Sequence, residues 1–379
     1  MLSPERLSPD SAVLSSKDAS AQDSASTSEL STSSREVRYE YSPSFASLLD
    51  RLHVSLFIST YQAGKLVAVS AQQGALTLTF HNFQQVMGVA AGPAGVAVGT
   101  QGQIWFLQSA PDIAPKVEPL GQHDACFLTR RSFYTGEIQV HELAWSGEEL
   151  WIVNTAFSCL CTLHESFSFV PQWRPPFVTA LAAEDRCHLN GLAMMNGRPE
   201  YVTALGQTDA PQAWRPGKVT DGCLVHVPTG RVVASGFAMP HSPRVHHGRV
   251  WLLNSGHGRL VTVDPATGGT TNVADLPGYT RGLAVHESVA FVGLSKIRET
   301  ATFGGMPIAE KHDLLKCGVG AIDLTTGRLL GHLEFVSGVD EIFDVQVLSG
   351  IRSPVISGPF PIADGGKPIW RVPHPSDPT

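Results

Sequence analysis

The residues best suited to chemistry in this sequence are three histidines, His141, His188 and His241, spaced by roughly 50 residues and each at or just before the start of a short apolar strand. Neutral imidazoles from successive repeats, if they meet at one point, bind Fe(II), Zn(II) or Cu through ring nitrogen and leave a coordination position open for substrate or water. Their register differs: His188 and His241 stand three and two residues before the Gly or Pro of their strands, and His141 stands one before Glu142. Glu341 offers a carboxylate ligand at the matching strand entrance late in the chain. Asp344 offers a further ligand, or an acceptor that orients a metal-bound ring.

Directly before His188, Glu184-Asp185-Arg186 joins two carboxylates to a guanidinium. These are the residue types of general acid–base catalysis beside a clamp for a substrate carboxylate, and equally of an ion-pair network that holds a loop. Arg281 is a second carboxylate anchor, Tyr279 and Trp214 are candidate walls, and Asn254 and Arg298 complete the substrate-facing set. Cys187 adjoins His188, but neighbours on a strand face opposite ways, so the two make no dyad.

To act together, these residues must be brought to one place by the elements that carry them. An apolar strand ending in a small polar residue recurs as Leu56–Thr60, Val96–Thr100, Trp151–Thr155, Tyr201–Leu205, Trp251–Ser255 and Phe291–Ser295. The interval of roughly 40 to 55 residues is that of a four-stranded propeller blade. Each copy but the first follows a hairpin from an inner strand rich in small residues, such as Gly88-Val89-Ala90 or Asn190-Gly191-Leu192-Ala193. The inner strand missing from the first copy is supplied by Asp344-Val345-Gln346-Val347, so strands near the two ends of the chain share one blade. The reading is therefore an all-β fold, a six-bladed β-propeller over residues 37–379 behind a disordered Ser-rich tail over 1–36. A short amphipathic helix with a capped start is expected between Ser42 and Leu52.

Alternating strand directions sort the loops onto two faces. Short turns such as Ser146-Gly147, Asn196-Gly197 and Thr229-Gly230 occupy one face, and long loops dense in polar and aromatic residues, with all three histidines, occupy the other. The acidic balance, a net charge of −7 with 27 Lys and Arg, gives no footprint for nucleic acid. With no long apolar run and no basic-then-apolar start, neither a membrane span nor a signal peptide is expected, and the expected compartment is the cytoplasm. Six scattered cysteines without a CxxC pair read as reduced thiols.

The strings Asp185-Arg186-Cys187-His188-Leu189-Asn190-Gly191-Leu192-Ala193, Met239-Pro240-His241-Ser242-Pro243-Arg244, Trp251–Gly256 and Tyr279–Ala284 resemble an uncharacterised bacterial family of conserved hypothetical proteins, some joined to tetratricopeptide-type repeats. That resemblance implies shared strings containing His188 and His241 but carries no activity. In architecture alone the arrangement looks like carotenoid-cleaving oxygenases, which hold Fe(II) with histidines, and like gluconolactonase-type propellers, which hold Ca(II) or Zn(II) with Glu, Asn and Asp. The expected function is a metal-dependent oxidoreductase, an oxygenase or hydroxylase with Fe(II) favoured, acting on a small-molecule or peptide substrate. The alternatives are a hydrolase using Asn190, Asn254 and a carboxylate around a hard cation such as Ca(II), and a non-catalytic propeller that binds a protein or peptide.

Overall fold

Each apolar string is the second strand of its own antiparallel sheet: Val54–Thr60, Gly95–Gly99, Glu149–Asn154, Arg198–Ala204, Arg249–Asn254 and Val289–Ser295. Val54–Thr60 and Val289–Ser295 are buried along their whole length, because a blade is covered by a neighbour on either side. Such strands read as continuous apolar runs and not as alternating ones. The computed structural model describes residues 36–296 and 304–373. Residues 1–35 of the Ser-rich tail over 1–36, and Arg298, lie outside the described residues.

The inner strands Val89–Gly92, Val140–Ser146, Leu189–Met195, Pro240–His246, Tyr279–His286 and Asp344–Ser349 touch one another in a closed ring, which makes the fold a six-bladed β-propeller. Blades are numbered I to VI from the sheet that holds Val54–Thr60. Closure takes place in blade I, where Asp344–Ser349 pairs antiparallel with Val54–Thr60, from Val54 opposite Ser349 to Ser59 opposite Asp344. The strand near the C-terminus thus fills the inner position that the sequence leaves vacant in the first repeat.

The small polar residue at the end of the second strand has a physical purpose. Ser59 Oγ donates to the Met87 carbonyl at 2.7 Å, Thr155 Oγ1 to Leu189 at 2.5 Å and Ser295 Oγ to Ile342 at 3.2 Å, each reaching from one blade to the next. A second set of bonds joins inner strands. Asp344 Oδ2 accepts the Val89 N–H at 3.0 Å, Glu142 Oε2 accepts Leu192 N–H at 3.0 Å, and Ser242 Oγ accepts Gly282 N–H at 3.1 Å. Blades I, III and V accept while II, IV and VI donate, so the channel has an approximate threefold repeat. Thr155→Val would leave the Leu189 carbonyl buried without its partner. We expect a loss of about 1–3 kcal/mol in urea denaturation, and an unchanged midpoint would show that the inter-blade bond contributes nothing.

The expected helix spans Pro43–Leu52 and buries Phe45, Ala46, Leu48 and Leu49 against blades I and VI. Its start differs from the expected side-chain cap. Ser42 Oγ caps no helix N–H, because it accepts the His332 N–H at 3.0 Å from blade VI and the Ser44 hydroxyl at 3.0 Å, and the Ser42 carbonyl instead accepts Phe45 N–H at 2.9 Å. Two strands not expected from the sequence cover outer edges: Arg38–Tyr41 pairs antiparallel on blade VI, and Pro354–Ser357 pairs parallel on blade II. Both blunt exposed strand edges. Among the described residues no helix is long and apolar enough to cross a membrane.

Candidate functional site at the channel mouth

His141 and His241 are the second residues of their inner strands, and the residue two before each, Gln139 and Met239, is in the left-handed region with φ of 54° and 50°. That turn aims its own carbonyl back at the ring. Nδ1–H of His141 donates to Gln139 O at 3.2 Å, and Nδ1–H of His241 donates to Met239 O at 2.8 Å. His188 precedes its strand, and its Nδ1 meets the Asp185 carboxylate at 2.9 Å, which Trp214 Nε1–H holds from behind at 3.0 Å. Carbonyl and carboxylate oxygens only accept, so all three rings carry their proton on Nδ1 and keep a lone pair on Nε2. Among the described residues no Nε2 of the three has a hydrogen-bond partner.

Two of the three rings are in contact. His141 and His188 pack edge to face with centroids 4.9 Å apart, and His188 lies 4.5 Å from Trp214. Burial pushes the His141 pKa well below the ordinary imidazole value, helped by the charge of His188. Burial does the same to His241, helped by the Arg281 guanidinium. Both are neutral at neutral pH, the form in which imidazole ligates a metal. Among the described residues, however, no three His, Cys, Asp or Glu side chains are already gathered at ligating distances. Glu341 stands 3.8 Å from Arg281 instead of joining the imidazoles, and Asp344 is bonded to Val89 N–H, Val345 N–H and Gln346. The inter-blade bonds make Glu142, Ser242 and Asp344 equivalent, so the preceding residues His141, His241 and Phe343 occupy equivalent positions. The channel repeat thus presents two imidazoles and a phenyl ring, and His188 enters from outside that repeat.

The remaining candidates divide between the mouth and its supports. Arg281 lies in the mouth, with its guanidinium carbon 3.4 Å from the centre of the Phe343 ring, which itself lies 5.3 Å from His141. Tyr279 is buried 5.8 Å from the His241 ring, and Trp214 is buried behind His188. Arg186 is taken up by Glu184 and by Asp209, each at 2.8 Å, and Thr179 and Arg186 hold Asp209 down to about 2. That network fastens the loop before His188 to the loop after Arg198–Ala204, and Glu184 and Arg186 act within it. Asn254 Oδ1 accepts Ala238 N–H at 2.9 Å and Asn190 Oδ1 accepts Thr203 Oγ1–H at 2.6 Å, so the amide oxygens wanted for a hard cation are engaged. Cys187 is buried in the core between blades, which pushes its thiol pKa up, and all six cysteines are unpaired.

Sequence reasoning missed Arg244, Phe343 and Tyr61 and treated Glu142 only as a marker. Arg244 of blade V forms an ion pair with Glu142 of blade III. Burial pushes Glu142 up to about 7, the charge of Asp344 adds to that, and Arg244 opposes it. The visible signal was a charged residue at a strand position otherwise filled by small or apolar side chains, in His141-Glu142-Leu143 and in Ser242-Pro243-Arg244. Tyr61 had no sequence signal: its ring lies 5.8 Å from Phe343 through the packing of blade I on its neighbours.

No curated protein matches the chain by sequence. Among solved structures, the chain is similar to one from a nidogen/laminin complex at 9% identity and a TM-score of 0.47, over 78% of this chain and 99% of that one. It is also similar to a protein of unknown function from Bacteroides caccae, at 10% identity and a TM-score of 0.49, over 78% of this chain and 98% of that one. A family model matches residues 43–357, from the helix at the start of the propeller to the strand that covers blade II, and the chain therefore belongs to the family described as a domain of unknown function (DUF4915).

Proposed function

We propose that the channel mouth is a metal-dependent catalytic centre in which His141, His188 and His241 hold a transition metal, Fe(II) before Zn(II) or Cu, for oxidation or hydroxylation of a small polar or peptidyl substrate. The observation that carries this reading is the shared tautomer. Each ring donates from Nδ1 to a fixed oxygen of the protein and keeps its Nε2 lone pair unused. Metal-binding histidines are oriented in this way. Drawing the three Nε2 atoms to one ion requires side-chain rotation, since His141 and His188 now pack edge to face. Neutral ligands leave the ion's charge and an open position for the reaction. Six buried, unpaired thiols fit action in a reducing compartment such as the cytoplasm.

A second reading is favoured by one specific contact. Asp185 orients His188, and Trp214 in turn holds Asp185, which is the geometry of a general base positioned by a carboxylate and needs no metal. Elemental analysis of the purified protein separates the two. The first reading expects about one equivalent of iron, zinc or copper per chain, lost in His188→Ala/His241→Ala while the circular dichroism spectrum is kept. A wild-type protein that stays metal-free after incubation with each ion overturns it, and turnover that survives chelation but not His188→Gln would establish the dyad.

A further inference from the structure

The least explained group in the mouth is Arg281. It is 7% exposed, Phe343 covers one face of its guanidinium at 3.4 Å, and its one ion-pair partner among the described residues, Glu341, is 3.8 Å away, beyond hydrogen-bond distance. Among the described residues no hydrogen-bond acceptor meets any of its nitrogens. Two other half-buried arginines are satisfied: Arg186 by Glu184 and Asp209, and Arg244 by Glu142 and the carbonyls of Leu192 and Pro243. A guanidinium has five N–H donors, and those of Arg281 are not among the fully buried unpartnered atoms, so they reach the channel mouth without an acceptor from the described residues. Such a group calls for an acceptor brought from outside.

We infer that Arg281 is the binding site for a small monoanionic carboxylate at the channel mouth, held edge-on by the guanidinium fork over Phe343. Because the ring takes the face, a ligand meets the edge, where two parallel N–H bonds match the two oxygens of a carboxylate. Charge selects the ligand further. Glu341 already stands 3.8 Å from the Arg281 guanidinium. A guanidinium with a carboxylate already beside it accepts a monoanion better than the dianion of a phosphate. Tyr61, whose hydroxyl has only a 3.5 Å contact to Gln85 Oε1, stands against Phe343 and offers a further donor. The inference rests on the mouth being the site proposed above and names its substrate class, but the guanidinium fork does not depend on a metal.

The test is calorimetric titration of the full chain, as purified and after chelation, with acetate, lactate, inorganic phosphate and acetamide, alongside thermal denaturation. Acetate and lactate are expected to bind in both preparations, phosphate roughly tenfold or more weakly, and acetamide not at all. Arg281→Met should lose roughly 10- to 100-fold in carboxylate affinity while its melting temperature stays level, because the change breaks no hydrogen bond to the described residues. Arg281→Lys keeps the charge without the fork and should lose about tenfold, and it decides the matter if the Met variant does not fold. Acetamide binding as well as acetate, phosphate binding more tightly than carboxylate, or affinity unmoved in either variant overturns the inference. Carboxylate binding that needs the metal and survives Arg281→Met would sink this inference and leave the metal centre standing. Binding that fails in Arg281→Met, in a protein that takes up none of the ions on incubation, would keep this inference and sink the metal centre.

Discussion

Arg244→Met is expected to lower folding stability by about 3–5 kcal/mol at about pH 8, the loss that follows when one member of a buried ion pair is removed and the other stays. Arg244 is the positive charge that faces both Glu142 and Asp344, and burial holds both carboxyls above their ordinary range. The deficit should depend on pH in a definite direction. The folded-state pKa of Glu142, about 7, is above its ordinary 4.5, so the folded protein keeps a proton that the unfolded chain releases. This group therefore reduces stability as pH rises from 4.5 through about 7 and has no such effect below 4.5. Without Arg244 the folded-state value rises further and the loss extends to higher pH. Urea denaturation should give a deficit that is largest at about pH 8 and shrinks towards about pH 5, where Glu142 is protonated in the folded state. Equal deficits at both values, or one under about 1 kcal/mol at the higher pH, would mean that water reaches the pair and screens it.

The second large effect is expected at the ring's closing seam. Gly282 has φ +81°, and a β-carbon there would stand 2.6 Å from the Val345 nitrogen of the closing strand. Gly74 provides the control: its φ is +80°, but nothing lies within 4 Å of the same added atom. Gly74→Ala should therefore lose only the left-handed penalty, about 1–2 kcal/mol. Gly282→Ala adds an overlap between two backbones and strains the N–H bond to Ser242, for an expected loss of about 3–5 kcal/mol. Thermal denaturation of both variants reads the difference directly. Similar melting temperatures would show that blades VI and I are not held as closely as their strands imply.

Much of the ring was legible because blade packing writes itself into local sequence. A second strand covered on both sides must be an apolar run, the Ser or Thr at its end bonds to the next blade at Ser59, Thr155 and Ser295, and inner strands crowded around a channel need small residues. Each requirement falls on adjacent residues, so the repeat and the closing strand Asp344–Ser349 could be found without coordinates. The edge strands Arg38–Tyr41 and Pro354–Ser357 could not, since four-residue segments add to a sheet wherever an edge happens to be open.

The chemistry of the mouth divides along the same line. Residue types and spacing alone put histidines at three strand entrances and placed them with Arg281 on the long-loop face, because strand direction fixes which end of a blade a residue occupies. Partner choice was decided only in three dimensions. Arg186 and Arg281 read alike in sequence, yet one is saturated by Glu184 and Asp209 while the other faces Phe343 without a hydrogen bond from the described residues. Ligand and tautomer assignments likewise depended on Gln139, Met239 and Asp185 presenting oxygens to Nδ1. The pairing of Glu142 with Arg244 joins residues 102 positions apart. Periodicity records which way a side chain points, but contacts across a ring depend on the twist and closure of all the blades together, and no short stretch of sequence contains that information.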